Sequence, residues 1–233
     1  MTTIAIHQPN YFPWMGYFLK MASADTFVYH DAVTLNTRSY TRRCYIKPQN
    51  TTENQRLSIG LKSISQNQLI SDVLLSIDRK WQTEHWKTIE QTYQKSPYFS
   101  ETSAWVYDLI VDDKHTHLAD YNIAILKKIA NYIDVQTTWV KSSTLSITGE
   151  TTDAKHLSII TQLGGDHYLS GIGSRAYQDD ETYRQQGIMV SYLESLSLLE
   201  SVVGSNTAQL SILDYLFDSS QTELISLIKR LTT

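Results

Sequence analysis

The stretch TIAIHQPNYFPWMGYFLKMASADTFVYH, residues 3–30, contains two short apolar runs separated by a helical pattern. Residues 3–7 are mostly apolar and lead into a turn that contains proline, which predicts a buried strand followed by a loop. Residues 15–23 predict a short helix, and residues 25–30 predict a second buried strand. Strand, helix and strand in close succession form a βαβ unit, and such units build parallel sheets with right-handed crossovers.

The segment that follows, residues 31–77, has a different pattern. Residues 43–47 and 56–61 alternate polar and apolar side chains and are separated by a polar cluster, so they predict antiparallel strands. These strands form either the rim of the main sheet or a small β insertion. Residues 79–133 then predict a helical insertion, with the clearest helical spacing of apolar residues over residues 118–132.

The α/β pattern returns in the last part of the chain. A helix over residues 152–163 is expected to begin with Thr152 or Asp153 as its N-cap, and residues 212–231 predict an amphipathic C-terminal helix. Three further short strands are predicted at residues 138–140, 166–169 and 187–192. We therefore predict a single α/β domain over residues 1–233, with a Rossmann-like, mostly parallel sheet, a small antiparallel β segment and a helical insertion.

The composition limits the possible partners. A net charge of −4 gives no electrostatic basis for nucleic acid as the main partner. The single cysteine, Cys44, cannot form an internal disulfide, and no apolar run is long enough for a membrane span. The first residues lack the pattern of a signal peptide, so we expect a cytoplasmic protein.

Polar residues follow three of the predicted strands. Ligands of open α/β sheets bind beyond the carboxyl ends of the strands, and parallel strands would bring these residues to one edge. His7 and Asn10 could also be turn residues, and Asp31 could equally be a capping carboxylate. The residues concerned are His7, Gln8 and Asn10 after the first strand, Asp31 after the second, and Ser170, Gly171, Ser174 and Arg175 after the third.

Two basic positions suggest phosphate contacts. In residues 170–175, the glycines allow close approach of a ligand, the serines supply hydroxyls, and Arg175 suits a bidentate phosphate contact. Residues 38–47 contain four basic residues, of which one or two, with Arg43 as a candidate, could bind a phosphate or nucleotide sugar. A solvated β-face is the alternative interpretation of that segment.

Most familiar enzyme motifs are absent from the sequence. It contains no zinc-ligand spacing, no dinucleotide fingerprint, no P-loop and no G-x-S-x-G nucleophile elbow. We therefore expect no protein-bound structural metal, and the motifs alone name no reaction.

Several ordered blocks carry a family resemblance. They are residues 4–33 (IAIHQPNYFPWMGYFLKMASADTFVYHDAV), residues 93–99 (YQKSPYF), residues 168–171 (YLSG), Tyr177 followed by Gly187 and Ile188, and residues 210–217 (LSILDYLF). Through these blocks the chain resembles the WbqC-like family. Members are encoded among O-antigen and other surface-polysaccharide genes, so the resemblance implies a role in making the glycan.

A more distant resemblance links the chain to HIGH-type nucleotidyltransferases such as pantothenate synthetase. His7-Gln8-Pro9-Asn10 is similar to their His-x-Gly-His turn, and residues 169–177 (LSGIGSRAY) are similar to their late phosphate loop, without its lysine. This resemblance implies ATP and Mg²⁺ as cofactors and activation of a carboxylate. An amine, such as that of a nucleotide-linked 4-amino-4,6-dideoxyhexose, would then accept an amino acid such as glycine and form an amide.

The resemblance also implies roles for individual residues. His7 and Asn10 would stabilise phosphates or the transition state, Asp31 would orient the sugar or its amine, and Arg43 would hold a diphosphate. The remaining expected substrate contacts are Gln8, Tyr11, Ser170, Gly171, Ser174, Arg175 and Tyr177. Two alternatives stay open: acyl transfer from a preformed donor without ATP, and a non-catalytic subunit of the polysaccharide assembly machinery.

Overall fold

A computed structural model describes residues 1–48, 53–112, 114–203 and 210–232. The seven strands in these residues are β1 (Thr3–His7), β2 (Thr26–Tyr29), β3 (Arg43–Ile46), β4 (Gln55–Ser58), β5 (Thr138–Lys141), β6 (His167–Gly171) and β7 (Met189–Leu193). Five of them form one sheet in the order β5-β2-β1-β6-β7, and β3 and β4 form a separate pair. This mixed α/β architecture confirms the predicted fold class.

The five-stranded sheet is parallel throughout. From its centre at β1, the chain adds β2 and β5 on one side and then crosses to add β6 and β7 on the other. Numbered among themselves, the five strands therefore run 3-2-1-4-5, the order of a doubly wound Rossmann-like sheet. The direction of strand addition reverses between β1 and β6, and ligands of such sheets bind beyond the carboxyl ends of the strands at this point.

The central strands are buried on both faces. Ile4 and Ile6 of β1 belong to one apolar cluster, whereas Ala5 between them belongs to the other. Alternate side chains of a strand point to opposite faces, so a strand covered on both faces must be apolar at every position. This is why the continuous apolar run after Thr3 forms the central strand.

Helices cover both faces of the sheet. In the described residues they are α1 (Met15–Ala22), α2 (Lys80–Tyr93), α3 (Phe99–Ile110), α4 (Leu118–Tyr132), α5 (Thr152–Gln162), α6 (Asp180–Arg184), α7 (Ser195–Val203), α8 (Ile212–Asp218) and α9 (Gln221–Thr232). Buried residues of α1 and α4 pack in the cluster with Ala5, and those of α5 and α6 pack with Ile4 and Ile6. No helix in the described ranges is long and apolar enough to cross a bilayer.

Two local predictions were wrong. The N-cap of α5 is Thr151, whose hydroxyl accepts a hydrogen bond from the Ala154 N–H at 3.2 Å, rather than Thr152 or Asp153. The predicted C-terminal helix is divided into α8 and α9. Ser220 starts the second of them through a capping box, because its hydroxyl accepts from the Glu223 N–H while the Glu223 carboxylate accepts from the Ser220 N–H.

The antiparallel pair predicted between residues 31 and 77 is present as β3 and β4. Cys44 lies opposite Leu57, and both are buried in the core. The side chain of Arg43 points to the other face of the pair, because neighbouring residues of a strand alternate.

Candidate functional site

A cavity of about 910 Å³ opens where the direction of strand addition reverses. Its volume falls within the range of about 300–1,000 Å³ that is typical of small-molecule sites. Part of its lining lies at or just after the carboxyl ends of three strands, namely β1 (His7, Gln8 and Asn10), β2 (His30) and β6 (Ser170, Gly171 and Ser174). The structure thus brings the residues after these three strands to one cavity.

The loop after β1 is held in place by hydrogen bonds from outside the sheet. The Tyr17 hydroxyl donates to the Gln8 carbonyl at 3.0 Å, and the Asn122 amide donates to the Pro9 carbonyl at 2.8 Å. The Thr41 hydroxyl lies 3.1 Å from Oε1 of Gln8 and 3.2 Å from Oδ1 of Asn10. This hydroxyl has one hydrogen and donates to one of the two amide oxygens at a time, while the NH₂ groups of Gln8 and Asn10 can donate to a ligand.

His7 is held as a neutral imidazole with one nitrogen available. Its Nδ1 lies 3.2 Å from the Gln8 carbonyl, which can only accept a hydrogen bond, so Nδ1 carries the hydrogen and Nε2 carries the lone pair. Burial, followed by the charge of Lys20, lowers the pKa of His7 to about 3. The ring packs edge-on against Tyr17, with centroids 4.8 Å apart, which fixes its orientation.

Lys20 lines the same cavity and was not among the predicted site residues. It is only 6% exposed, and its Nζ donates to the Ile6 carbonyl at 2.9 Å. Burial lowers the pKa of Lys20 to about 7. It makes no ion pair with a carboxylate in the described part of the chain. The available sequence signal was a single lysine in the otherwise apolar helix α1.

Two further histidines lie in the cavity wall. His30 and His156 are in edge contact, with ring centroids 5.3 Å apart, and Nδ1 of His156 lies 3.3 Å from the Tyr168 hydroxyl. Burial lowers the pKa of His30 to about 4 and that of His156 to about 3. His156 was also missed by sequence reasoning. It lies one helical turn after Thr152, and both residues line the cavity from α5.

The loop after β6 forms an open wall. The Ser170 hydroxyl lies 2.6 Å from the Ser174 hydroxyl, which donates to the Gly171 carbonyl at 2.7 Å. No heavy atom lies within 4 Å of the position that a Cβ would take at Gly171 or Gly173. The glycines therefore leave space for a ligand to approach the backbone closely.

Asp31 lies behind the cavity rather than in its lining. Its fully buried carboxylate accepts hydrogen bonds from the Ser143 N–H at 2.8 Å, the Ser143 hydroxyl at 2.7 Å and the Ser142 hydroxyl at 3.1 Å. The same Ser142 oxygen lies 3.1 Å from Nδ1 of His30. Asp31 thus acts on the cavity through Ser142 and His30.

Three predicted substrate contacts do not line the cavity. Arg43 donates to the Thr37 carbonyl at 2.9 Å on the face of β3. The Arg175 guanidinium lies over the Tyr192 ring, 5.6 Å from its centroid. Tyr11 is fully buried, and its hydroxyl lies 3.0 Å from Nδ1 of His85.

Aromatic side chains surround the cavity opening. Tyr177 is 73% exposed and Tyr40 is 49% exposed, although large apolar side chains usually avoid water. Trp14 lies beside Tyr40, with centroids 5.9 Å apart. All three line the cavity, so their faces are available to stack on a sugar ring or a nucleobase.

The charge of the lining has one sign. Among the described residues, Lys20 is its only lysine or arginine, and none of them places an aspartate or glutamate in the cavity lining. Mg²⁺ prefers carboxylate oxygens, so these side chains do not suit a protein-held Mg²⁺ ion. No group of three or more metal-ligating side chains occurs anywhere in the described ranges. The arrangement is suited to a ligand that brings its own negative charge.

Comparison with known proteins gives the family. The sequence profile of the WbqC-like protein family matches residues 8–225. The chain belongs to the WbqC-like family. It is 25% identical over 220 residues to the uncharacterized protein Rv1507c of Mycobacterium tuberculosis, and the match spans 94% of each chain. No solved structure shows significant similarity to the chain. The family match includes the loops after β1, β2 and β6 that build the cavity.

Proposed function

We propose that this WbqC-like protein is a cytoplasmic enzyme of surface-polysaccharide synthesis, which forms an amide on the amine of a nucleotide-linked amino sugar. The proposal rests on His7, a neutral imidazole whose Nε2 is available in a cavity at the carboxyl ends of parallel strands. A neutral nitrogen base in a cavity suits removal of a proton from an attacking amine.

The proposed reaction is acyl transfer. The amine nitrogen of the sugar attacks the carbonyl carbon of an activated acyl group, such as glycyl, and the new C–N bond forms as the bond to the leaving group breaks. The leaving group departs with its electron pair, and the nitrogen gives up one proton to Nε2 of His7. The low pKa of His7 makes it a weak base in the free enzyme. A negatively charged ligand nearby raises that pKa and makes the transfer more favourable.

The cavity offers complementary contacts for the rest of the substrate. The exposed rings of Tyr40 and Tyr177 can stack on the base or sugar at the opening. The NH₂ groups of Gln8 and Asn10 can donate to sugar hydroxyls, and the open backbone at Gly171 can approach the substrate closely.

The source of the activated acyl group separates two candidate enzymes. In the first, ATP activates the carboxylate, as in the HIGH-type enzymes. In the second, the acyl group arrives already activated, as a thioester or an aminoacyl ester. The position of Arg175 over Tyr192, outside the cavity lining, favours the second candidate, because a triphosphate would lack its expected arginine contact.

A product assay tests the proposal. The protein is incubated with a dTDP- or UDP-linked 4-amino-4,6-dideoxyhexose, with glycine, ATP and Mg²⁺ in one series and with an activated acyl donor in another. Mass spectrometry then detects the acylated sugar nucleotide. We expect His7→Asn to lower kcat by about 100-fold. The matched control His115→Asn changes an exposed histidine outside the cavity lining and should leave the rate unchanged. Undiminished acylation by His7→Asn would exclude His7 as the base.

A further inference from the structure

We infer that the inner part of the cavity is a binding site for a phosphate oxyanion, contacted by Lys20 and by the first turn of α1. This inference deepens the proposed function, because it assigns a place to the phosphates of the substrate. Neither the family match nor the resemblance to HIGH-type enzymes assigns a role to Lys20. The expected phosphate contacts Arg43 and Arg175 lie elsewhere.

The placement of Lys20 is the first observation. Helical side chains lean toward the N-terminus of their helix, which brings Nζ to the carboxyl end of β1, where it reaches the Ile6 carbonyl. An ammonium group has three hydrogens to donate, so two remain after this bond. Burying an ammonium without a carboxylate partner destabilises a fold, and an anionic ligand in the cavity would offset that cost for Lys20.

The start of α1 is the second observation. The N-cap residue Trp14 provides no side-chain hydrogen bond to the helix, and the first turn contains no acidic residue. Trp14, Gly16 and Tyr17 all line the cavity. The Tyr17 N–H donates to the Trp14 carbonyl at 3.0 Å, so the N–H groups of Met15 and Gly16 are the first-turn donors without a partner inside the helix, and with the helix dipole they attract anions.

Most groups around Lys20 are neutral or positively charged, and the nearby negative charge is that of Asp31, which acts on His30. His7 faces Lys20 from β1, His30 from the end of β2 and His156 from α5, with the Tyr17 and Tyr168 hydroxyls beside them. Lys155 adds a positive charge near His30. The nearby carboxylate of Asp31 is occupied by Ser142, Ser143 and the ammonium of Lys141, 3.8 Å away.

Protonation should accompany binding. Burial lowers the pKa of Lys20 to about 7, so above neutral pH much of the free protein has an uncharged Lys20. A bound phosphate favours the ammonium form, which raises this pKa and draws a proton from the buffer. Oxyanion affinity should therefore fall as pH rises through neutrality, and binding at about pH 8 should show net proton uptake.

Calorimetry of the full chain with pyrophosphate tests the inference. Titrations at about pH 8 in two buffers of different ionisation enthalpy give both the affinity and the number of protons taken up. We expect Lys20→Met to weaken pyrophosphate binding roughly tenfold or more and to remove the proton uptake. The control Lys128→Met makes the same charge change at an exposed position of α4 and should alter neither quantity.

Two results would overturn the inference. One is wild-type affinity and proton uptake in a folded Lys20→Met variant. The other is a pH dependence of pyrophosphate affinity between about pH 6 and pH 9 that is the same in the wild-type protein and in Lys20→Met, since pyrophosphate itself titrates in this range and only the difference reports Lys20. Parallel titrations with dTDP and ATP compare the two nucleotides. The one that binds more tightly is the class of ligand whose phosphate occupies the site.

The outcome can be separated from that of the proposed function. If Lys20→Met still acylates the amino sugar with an unchanged KM, the oxyanion-site inference is wrong and the proposed enzymatic function stands. If pyrophosphate binding depends on Lys20 but the protein acylates no amino sugar, the oxyanion-site inference stands and the proposed enzymatic function is wrong.

Discussion

Lys20 donates a hydrogen bond to the backbone carbonyl of Ile6 at 2.9 Å, so a buried ammonium ends at the carboxyl end of the central strand. This contact joins the first helix to the point where the order of strand addition reverses. It places Lys20, which lines the cavity, beside the imidazole of His7.

Lys20→Met should stabilise the fold while it impairs binding. The folded-state pKa of Lys20, about 7, lies below the ordinary value of 10.5, so the folded protein binds fewer protons between these values. Stability of the wild-type protein therefore rises with pH across this window, and the penalty of burying the charge is complete below it. We expect the variant to gain about 1–3 kcal/mol near pH 6 and little near pH 10. Urea unfolding at both pH values measures this, and an equal loss of stability at both would indicate a purely structural lysine.

Asp214→Asn should remove a second pH dependence. Burial raises the pKa of Asp214 from 3.8 to about 7, and its Oδ2 has no hydrogen-bond partner in the described residues. The folded protein therefore retains a proton that the unfolded chain loses, and wild-type stability falls as pH rises from about 4 through 7. The asparagine variant should be more stable than wild type by about 1–3 kcal/mol above pH 7.

The exposed residue Asp108 on α3 provides the control for this effect, because its charge does not contribute to the pKa of Asp214. Chemical denaturation of Asp108→Asn over the same pH range should follow the wild-type curve. If Asp214→Asn also follows that curve, then Asp214 is ionised in the folded protein at neutral pH.

Gly171→Ala should leave the fold intact and obstruct the ligand. The backbone at Gly171, with φ −85° and ψ 145°, is allowed for alanine, and the new methyl group would have no protein atom within 4 Å. We expect a thermal midpoint close to wild type and a roughly tenfold weaker affinity for the sugar nucleotide. Gly165→Ala is the opposite case, because its methyl group would clash with Ile4 in the core, so it should lower stability. Unchanged sugar-nucleotide affinity in Gly171→Ala would mean that the ligand does not approach this loop.

Asp31→Asn should act through structure rather than through substrate contact. The carboxylate accepts three hydrogen bonds from Ser142 and Ser143, and an amide would replace one acceptor oxygen by a donor. We expect a loss of about 1–3 kcal/mol in unfolding free energy. The pH profile of kcat should shift, because the orientation of His30 changes, while KM stays close to wild type. A KM increase without loss of stability would place Asp31 in direct contact with the sugar.

Much of the fold follows from the sequence because both faces of the central strands are covered. The apolar runs at residues 3–7 and 25–30 can be buried on both faces only in a sheet with helices on both sides. Each run is a short continuous stretch, so it can be recognised from the sequence. Parallel pairing then brings the polar residues after these strands to one edge, so His7 and Ser170 could be placed near each other before the structure was known.

The parts of the site that sequence could not supply depend on side-chain direction and tertiary burial. Arg43 follows strand alternation to the far face of β3, and Arg175 stacks on Tyr192, a residue that follows it by a helix and a loop. Lys20 resembles an ordinary helical lysine until the packing of α1 buries it. His156 joins the cavity only because α5 crosses the sheet to the other side of β1.

The most direct test of the account is a crystal structure of the protein with a dTDP- or UDP-linked 4-amino-4,6-dideoxyhexose. We predict that the diphosphate contacts the Lys20 ammonium at the start of α1. The sugar amine should lie within hydrogen-bond distance of Nε2 of His7, and the base should stack against Tyr40 or Tyr177. A sugar nucleotide bound outside this cavity, or an empty cavity in a crystal soaked at a saturating concentration of the sugar nucleotide, would contradict the account.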